Sequence, residues 1–376
     1  MRFPEFSGEW ERKRIRELFA INVGGDIDKK DVNPICTEHF KYPIIANALS
    51  NDGIYGYTSV YKDKAPCITV TGRGDIGKAK YRDTPLYPIV RLLVLHSLGD
   101  VDCLFGEYAI NHIRIYEEST GVPQLTAPQL GAYHIKYPSS EEQMKIGAFL
   151  SLLDKRISTQ NKIIEDLKTL RLATNDYLQK HFEPAFNLSF AELGTDFGGL
   201  SGKSADDFGT GYPYITYMGV YSKNFVTEAD CSLVTILPNE TQSKVQKGDV
   251  LFTLSSETPE EVCYGSVYVG NVKEVYLNSF CFGVHITNSN VYSPYLAYFV
   301  NSTLFRKAVF PLAQGSTRFN LQKSDFLKKK FAFPSKEKQI EIYNTLQALE
   351  NKLQIEIALL DKYRVQKQYF LQQMFI

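Results

Sequence analysis

Pro138-Ser139-Ser140-Glu141-Glu142-Gln143 opens the stretch on which the fold turns, and the chain contains that stretch twice. Pro334-Ser335-Lys336-Glu337-Lys338-Gln339 opens the second copy. A shift of 196 residues carries Ile146, Leu150, Leu153, Ile157, Ile164 and Leu167 onto Ile342, Leu346, Leu349, Leu353, Leu360 and Tyr363. The repeat extends upstream, where Leu125 and Ile135 fall on Leu321 and Phe331. Near the ends the offset becomes 193, and Leu178-Gln179-Lys180-His181-Phe182 then matches Leu371-Gln372-Gln373-Met374-Phe375. The apolar positions step by 4, 3, 4, 7 and 3 residues, which is a heptad stripe. Each copy therefore reads as one long helix, started by Pro and Ser ahead of acidic residues. About 40 residues at ~1.5 Å each make a rod of roughly 60 Å.

Two packing schemes fit such helices. Each could lie only on its own globular half, or the two seams could bury each other antiparallel. Matching seams in one chain favour the second scheme. Gln160 and Glu356 occupy equivalent positions in the mostly apolar stripe, and two solvated side chains are expected there rather than a register-setting pair.

At 376 residues the chain is long enough for two or three cores, and 44% hydrophobic content fits a globular protein. No stretch reaches the ~18 uninterrupted apolar residues of a membrane helix, and Met1-Arg2-Phe3-Pro4-Glu5 lacks the apolar core of a signal peptide. Six cysteines with no CxxC pair suggest neither a disulfide framework nor a zinc site. A cytoplasmic location is the expectation. Forty-two basic side chains balance 42 acidic ones, which argues against indiscriminate coating of nucleic acid. Local basic runs remain. Residues 62–91 hold Lys62, Lys64, Arg73, Lys78, Lys80, Arg82 and Arg91, and residues 318–330 hold Arg318, Lys323, Lys328, Lys329 and Lys330. From charge alone these are solvated faces.

The remaining segments read as mixed strand and helix modules. Phe3, Phe6 and Trp10, and later Phe186 and Phe190, suggest that each half begins with a short apolar clasp. Asn51-Asp52-Gly53 and Tyr55-Gly56-Tyr57 look like turns. Cys67-Ile68-Thr69-Val70-Thr71 is strand-like and enters Gly72-Arg73-Gly74-Asp75-Ile76-Gly77, a literal GxGxxG. A dinucleotide site needs a helix after that motif. Lys78-Ala79-Lys80-Tyr81-Arg82 alternates like a strand instead, so a glycine-bent hairpin with Arg73 on its tip is expected. Further on, Gly198-Gly199-Leu200-Ser201-Gly202-Lys203 reads as a flexible basic loop. Tyr212 to Tyr217 and Asp249 to Leu254 read as strands, and Tyr295 to Phe310 as one helix. Gln314-Gly315-Ser316-Thr317-Arg318-Phe319-Asn320 reads as an exposed loop ahead of the second long helix.

Catalytic patterns are missing. The six His lie far apart, and neither a G-x-S-x-G elbow nor a Walker loop occurs. Asn33-Pro34-Ile35-Cys36 lacks the second Pro and the aromatic residue of an amino-methyltransferase loop. Asp206-Asp207 and Glu260-Glu261 have no partner motif. Two lobes with long helices and no reaction centre describe a recognition or scaffold subunit.

Over nearly its whole length the chain resembles a specificity subunit of a type I restriction–modification system. The resemblance rests on Leu125 with Pro138, Glu142, Gln143, Ile146, Leu150 and Asp154 in the first copy. In the second it rests on Gln314-Gly315-Ser316-Thr317, Leu321, Asp325, Pro334 and Gln339. Tyr42-Pro43, Tyr55-Gly56-Tyr57, Thr71-Gly72-Arg73-Gly74 and Lys247-Gly248-Asp249-Val250-Leu251 add to it. Thr120-Gly121-Val122-Pro123 departs from the pattern, since Ser316-Thr317-Arg318-Phe319 stands there in the second copy.

The resemblance implies an α+β fold with a pseudo-twofold internal repeat. Two mixed α/β target-recognition domains, residues 1–137 and 184–333, would be separated by two long antiparallel coiled-coil helices, residues 138–183 and 334–376. It implies a non-catalytic chain that binds double-stranded DNA with a split target. Two modification (methyltransferase) subunits would dock on the helices, restriction/translocase subunits would join, and no membrane would be involved. S-adenosylmethionine, ATP and Mg would belong to those partners, with no cofactor in this chain. Lys64, Lys78, Lys80 and Lys203 would meet phosphate, while Arg73 and Arg318 would present forks to guanine. Asn320 would pair with adenine, Tyr55 and Tyr57 would stack or pack on sugar, and Ser316 would belong to the contacting loop. A related system with a fused methylase-nuclease partner, and a scaffold that does not bind DNA, stay open as alternatives.

Overall fold

The structure is a computed structural model that describes residues 2–115 and 123–375. The chain divides into two compact units, Met1–Lys162 with Ala358–Ile376, and Ile163–Ile357.

The first unit is built on an antiparallel sheet ordered Phe19–Val23, Leu93–Ser97, Cys67–Val70, Ala79–Arg82. Cys67 to Val70 is buried along its whole length, so this β-branched run reads as a central strand. The helix Cys103–His112 packs on the sheet, and Phe105, Ile68, Val70, Leu93 and Leu95 share one core. A smaller sheet is ordered Ile54–Thr58, Tyr42–Ile45, Tyr87–Pro88, the last pair parallel. The entry strand Glu11–Arg14 pairs with the exit strand His134–Tyr137, which closes the module just ahead of the long helix.

The second unit repeats this plan. Its main sheet runs Gly194–Gly198, Cys281–Ile286, Val250–Thr253, Gly265–Tyr268, with Phe225–Val226 added in parallel at the edge. The smaller sheet is Cys231–Val234, Phe208–Ile215, Tyr276–Leu277, again with a parallel last pair. Phe186–Ser189 pairs with Lys330–Phe333 as the closing ribbon. Phe190, Phe252, Phe282, Phe305 and Phe326 fill the core; Phe190 stacks on Phe326 with ring centroids 5.0 Å apart.

The long helices are Ser140–Lys180 and Lys336–Met374. Both packing schemes weighed above operate. Within the first unit, Ile146, Leu150 and Leu153 join that module's own core. The far end of the second long helix joins the same core. Phe370 meets Phe149 edge-on at 4.9 Å, Phe375 stacks on Phe105 at 5.4 Å, and Met374 is buried there. Lys367 bonds Asp154, and the Arg156 guanidinium lies 4.8 Å from the Tyr363 ring centre. Within the second unit the roles are exchanged. Ile342 and Leu346 join its core, Tyr295 donates to Gln179 at 2.6 Å, and Arg171 bonds Glu350. The start of each helix is thus packed with the end of the other, so they pair antiparallel.

Several local expectations change. Tyr55-Gly56-Tyr57 is strand, not turn: Tyr57 exchanges backbone hydrogen bonds with Asn33, and a Cβ on Gly56 would come within 3.0 Å of Asn33 O. The turn falls on Asn51, Asp52 and Gly53, all with positive φ. Tyr295 to Phe310 is two helices, Ser293–Phe299 and Thr303–Val309, because the Ser302 hydroxyl caps a new start by accepting Phe305 N–H. Gln160 and Glu356 are 5% and 8% exposed, so the expectation of solvated side chains is corrected. A buried polar side chain within an otherwise apolar stripe is retained where its groups have partners, and each of these residues has at least one. Ile164, Leu353 and Leu360 are buried, whereas Ile157 and Leu349 are half-buried.

Candidate nucleic-acid interface

Cys67–Val70 and Ala79–Arg82 form the expected hairpin, closed by residues 71–78. Gly74 and Gly77 have φ of +69° and +78°, where a side chain would strain the backbone. Gly72 is required for a different reason. A Cβ there would sit 2.9 Å from Leu125 O and 3.1 Å from Arg91 O. Its N–H donates to Asn47 Oδ1 at 2.7 Å, and its carbonyl accepts Leu125 N–H at 2.8 Å.

Arg73 follows and is half-buried rather than projecting freely. Its Nη2 donates to Gln124 Oε1 at 3.4 Å, and its Nε is buried without a hydrogen-bond partner among the described residues. Lys78 and Lys80 are exposed on the same hairpin. Lys80 pairs with Asp52 at 3.3 Å, a solvated contact of small energetic weight. Arg82 is held inward by Thr69 Oγ1 and Asp52 O, and burial lowers its pKa. These groups border a cavity of about 210 Å³ lined by Asp52, Thr69, Thr71, Lys78, Lys80 and Arg82. Lys78 and Lys80 are therefore brought together at this cavity, whereas Arg73 is not among its lining residues and turns to Gln124. Tyr55 (60% exposed) and half-buried Tyr57 lie on the smaller sheet. Lys64 precedes Cys67, at the opposite end of that strand from the loop.

In the second module, Ala313–Gln314 and Phe319–Leu321 form a hairpin closed by residues 315–318. Phe319–Leu321 also pairs with Ser255–Ser256, placing Asn320 opposite Ser255. Ser316, Arg318 and Asn320 are all exposed. The Arg318 guanidinium lies 5.5 Å from the centre of the Phe280 ring. Beside it is a cavity of about 330 Å³, lined by Tyr217, Met218, Tyr221, Glu257, Phe280 and Arg318. Tyr221 donates to Glu261 at 2.8 Å, and that bond pushes its pKa up to about 12. Ser256 and Tyr221 together hold the Glu261 carboxyl below its usual range. The phenols act as donors, Tyr217 to Ser255 O at 2.8 Å and Tyr221 to Glu261.

Lys203 does not match its expected role. Its side chain is 3% exposed and donates to Glu240 Oε1 at 2.7 Å. The ammonium tethers its own loop instead of meeting a phosphate. Thr120-Gly121-Val122, the counterpart of the Arg318 loop, lies outside the described residues.

The sequence profile of the family described as type I restriction modification DNA specificity domain matches residues 7–169 and again 191–362. The chain belongs to that family. A type I specificity subunit of Mycoplasma pneumoniae is 29% identical over 160 residues, covering 43% of this chain and 44% of that protein. The chain thus spans about half the length of the curated relatives it matches first. The solved S subunit of a type I restriction–modification system from M. genitalium superposes over 100% of this chain and 99% of its own, with TM-score 0.62 and 17% identity. A chain solved in a study of complex assembly of the type I R-M system covers 99% and 98%, with TM-score 0.61 and 14% identity. At those identities the likeness is one of fold.

The first match includes its whole closing ribbon, the second only the Lys330–Phe333 strand of its ribbon, and each includes the start of one long helix. Sequence reasoning missed Asn47, Tyr217, Tyr221 and Phe280 in these specificity domains. Nothing in their local sequence marks them, since each meets its site through sheet topology. The described residues hold no cluster of three or more His, Cys, Asp or Glu suited to a metal. None of their helices is long and apolar enough to cross a membrane.

Proposed function

We propose that this chain is the DNA-sequence specificity subunit of a type I restriction–modification complex, with each specificity domain reading one part of a split duplex target. The observation that carries this reading is a repeated frame with unlike tips. The sheets, closing ribbons and helix starts of the two modules match. The loops above them differ, Gly72-Arg73-Gly74 against Ser255-Ser256-Glu257 and Gln124 against Asn320. A scaffold for two identical clients needs no such divergence, whereas a reader of two unlike half-sites does.

Arg73 and Arg318 carry the fork geometry that suits guanine O6 and N7. The unpartnered Nε of Arg73 is costly in place and is relieved when the side chain turns to an acceptor. Lys78 and Lys80 supply sequence-independent phosphate contacts. The paired helices dock two modification subunits, which bring S-adenosylmethionine, and the restriction subunits bring ATP and Mg. The reaction is carried out by those partners in the cytoplasm.

Binding of the assembled complex to duplex DNA across a salt series tests this. A linear fall of log K with log salt, together with tighter binding to one sequence than to its scrambled form, is expected. Salt-insensitive or sequence-blind association would leave the scaffold reading.

A further inference from the structure

The smaller sheet of each module returns to the main sheet through one tight turn. In the first unit it is Ile89-Val90-Arg91-Leu92, where Leu92 N–H donates to Ile89 O at 3.1 Å. In the second it is Asn278-Ser279-Phe280-Cys281, where Cys281 N–H donates to Asn278 O at 3.0 Å. Each turn follows the strand that pairs in parallel, Tyr87–Pro88 or Tyr276–Leu277. Each precedes the strand beside the middle of the main sheet, Leu93–Ser97 or Cys281–Ile286. Arg91 and Phe280 therefore hold the same place in the topology.

Both tips are built to stay exposed. Val90 and Arg91 have φ of +53° and +58°, a left-handed conformation unfavourable for any β-branched or long side chain. Neither residue is Gly or Asn, the usual occupants of such a turn. The surroundings force the shape. Val90 N–H donates to Gly25 O at 2.9 Å, Arg91 N–H to Gly24 O at 3.0 Å, and Asn47 Nδ2 to Val90 O at 2.6 Å. Asn47 also holds Gly72 N–H, so one side chain clamps the Val90-Arg91 turn to the Gly72-Arg73 loop. The Arg91 backbone lies against Gly72 itself.

The second module uses the same place differently. Phe280 O accepts Leu254 N–H at 2.8 Å, and Phe280 N–H donates to Asn278 Oδ1 at 2.9 Å. The ring is 51% exposed and lies under the Arg318 guanidinium. A large apolar side chain kept in water beside a cation is the combination found where a planar cation must be aimed.

We infer that this turn is a base-reading element in both specificity domains: Arg91 presents its guanidinium fork to guanine in one half-site, and Phe280 positions Arg318 over the other. The inference rests on the DNA-reading role proposed above. Asn47 is then a positioning residue that sets Arg73 and Arg91 side by side. Strain at Val90 and Arg91 is retained because the turn must carry a long cation at a fixed angle.

The experiment is methylome sequencing of cells carrying the complete system, with wild type, Arg91→Gly, Arg91→Lys, Phe280→Ala and Phe280→Tyr. Absence of any sequence-limited methylation in wild type would refute the DNA-reading role itself. Given a wild-type motif, Arg91→Gly is expected to relax one position of one half-site roughly tenfold or more. Its melting temperature should be unchanged or raised, since Gly accepts the left-handed backbone. Arg91→Lys should remain relaxed, because an ammonium cannot form the fork. Phe280→Ala should relax the other half-site only, with Phe280→Tyr restoring it. An unaltered motif in Arg91→Gly, or full restoration by Arg91→Lys, would reduce Arg91 to a phosphate contact and overturn the inference. Relaxation of both halves by Phe280→Ala would equally overturn it.

Discussion

Gln143 and Gln339 make the same set of hydrogen bonds in separate units. Gln143 Nε2 donates to Pro138 O at 2.8 Å and to Asp100 O at 3.0 Å, while its Oε1 accepts Asp102 N–H at 2.8 Å. Gln339 Nε2 donates to Pro334 O at 2.9 Å and to Asn290 O at 3.1 Å, and its Oε1 accepts Tyr292 N–H at 2.8 Å. Both side chains are fully buried. Asp102 and Tyr292 are the N-caps of the helices that cover the sheets. Each glutamine thus ties the start of a long helix to the start of its module's own helix.

Replacing either glutamine by Leu keeps the volume and strands two carbonyls and one N–H. A loss of about 3 kcal/mol of stability is expected for the affected unit, given ~1–3 kcal/mol per buried unsatisfied group with partial relaxation. Urea unfolding of Gln143→Leu and Gln339→Leu measures it. A loss below about 1 kcal/mol would show that the three bonds are not a joint.

The helix pairing has an internal check. The 196-residue shift carries Asp154 to Glu350 and Arg171 to Lys367. Asp154 bonds Lys367 and Glu350 bonds Arg171, so the two ion pairs are the same contact seen in each unit. All four side chains are 22–37% exposed, which limits each coupling to about 0.5–1 kcal/mol. A double-mutant cycle with Asp154→Lys and Lys367→Asp should recover most of what either single change loses. Equal losses in the double and summed single variants would contradict the antiparallel register.

Acid should open the second module's closing ribbon first. Glu192 accepts Ser189 N–H at 2.7 Å and pairs with Lys330 at 3.0 Å, and these hold its pKa at about 2 against an ordinary 4.5. A carboxylate depressed in the fold contributes stability that is present above pH ~4.5 and is lost as pH falls toward 2. Glu192→Gln should therefore destabilise at neutral pH and flatten the acid limb in that window. Identical pH profiles for both proteins, followed by circular dichroism, would remove Glu192 from the account.

Much of this was legible in the residues. The heptad stripe, the Pro and Ser starts and the 196-residue shift announce two long helices, and Gly72, Gly74 and Gly77 announce the hairpin. What stayed hidden has a common cause. Tyr55 to Tyr57 carries turn-prone Gly56, yet Gly56 is there because Asn33 approaches its backbone. Lys203 looks like an open cation until Glu240, 37 residues away, is brought to it. Gln160 and Glu356 look solvent-bound because single-residue polarity says nothing of a partner. Arg91 and Phe280 share no local signature, and only sheet topology makes them equivalent.

The lysines separate phosphate contact from internal tether. Lys78→Ala should lower the salt slope of DNA binding by about one unit while leaving base preference intact. Lys203→Ala should leave that slope unchanged and lower the stability of its module instead, since its ammonium already sits between Glu240 and Asp207. Fluorescence titration at several salt concentrations distinguishes them. A reduced slope in Lys203→Ala would mean that the loop opens on DNA.

The central claim is that one chain carries two independent readers. Exchange of residues 184–333 for the corresponding segment of another specificity subunit, followed by methylome sequencing of cells with the complete system, tests it most directly. A two-part methylated motif in which one part changes and the other is kept is the predicted result. A motif changed in both parts, or one unaffected by the exchange, would contradict it.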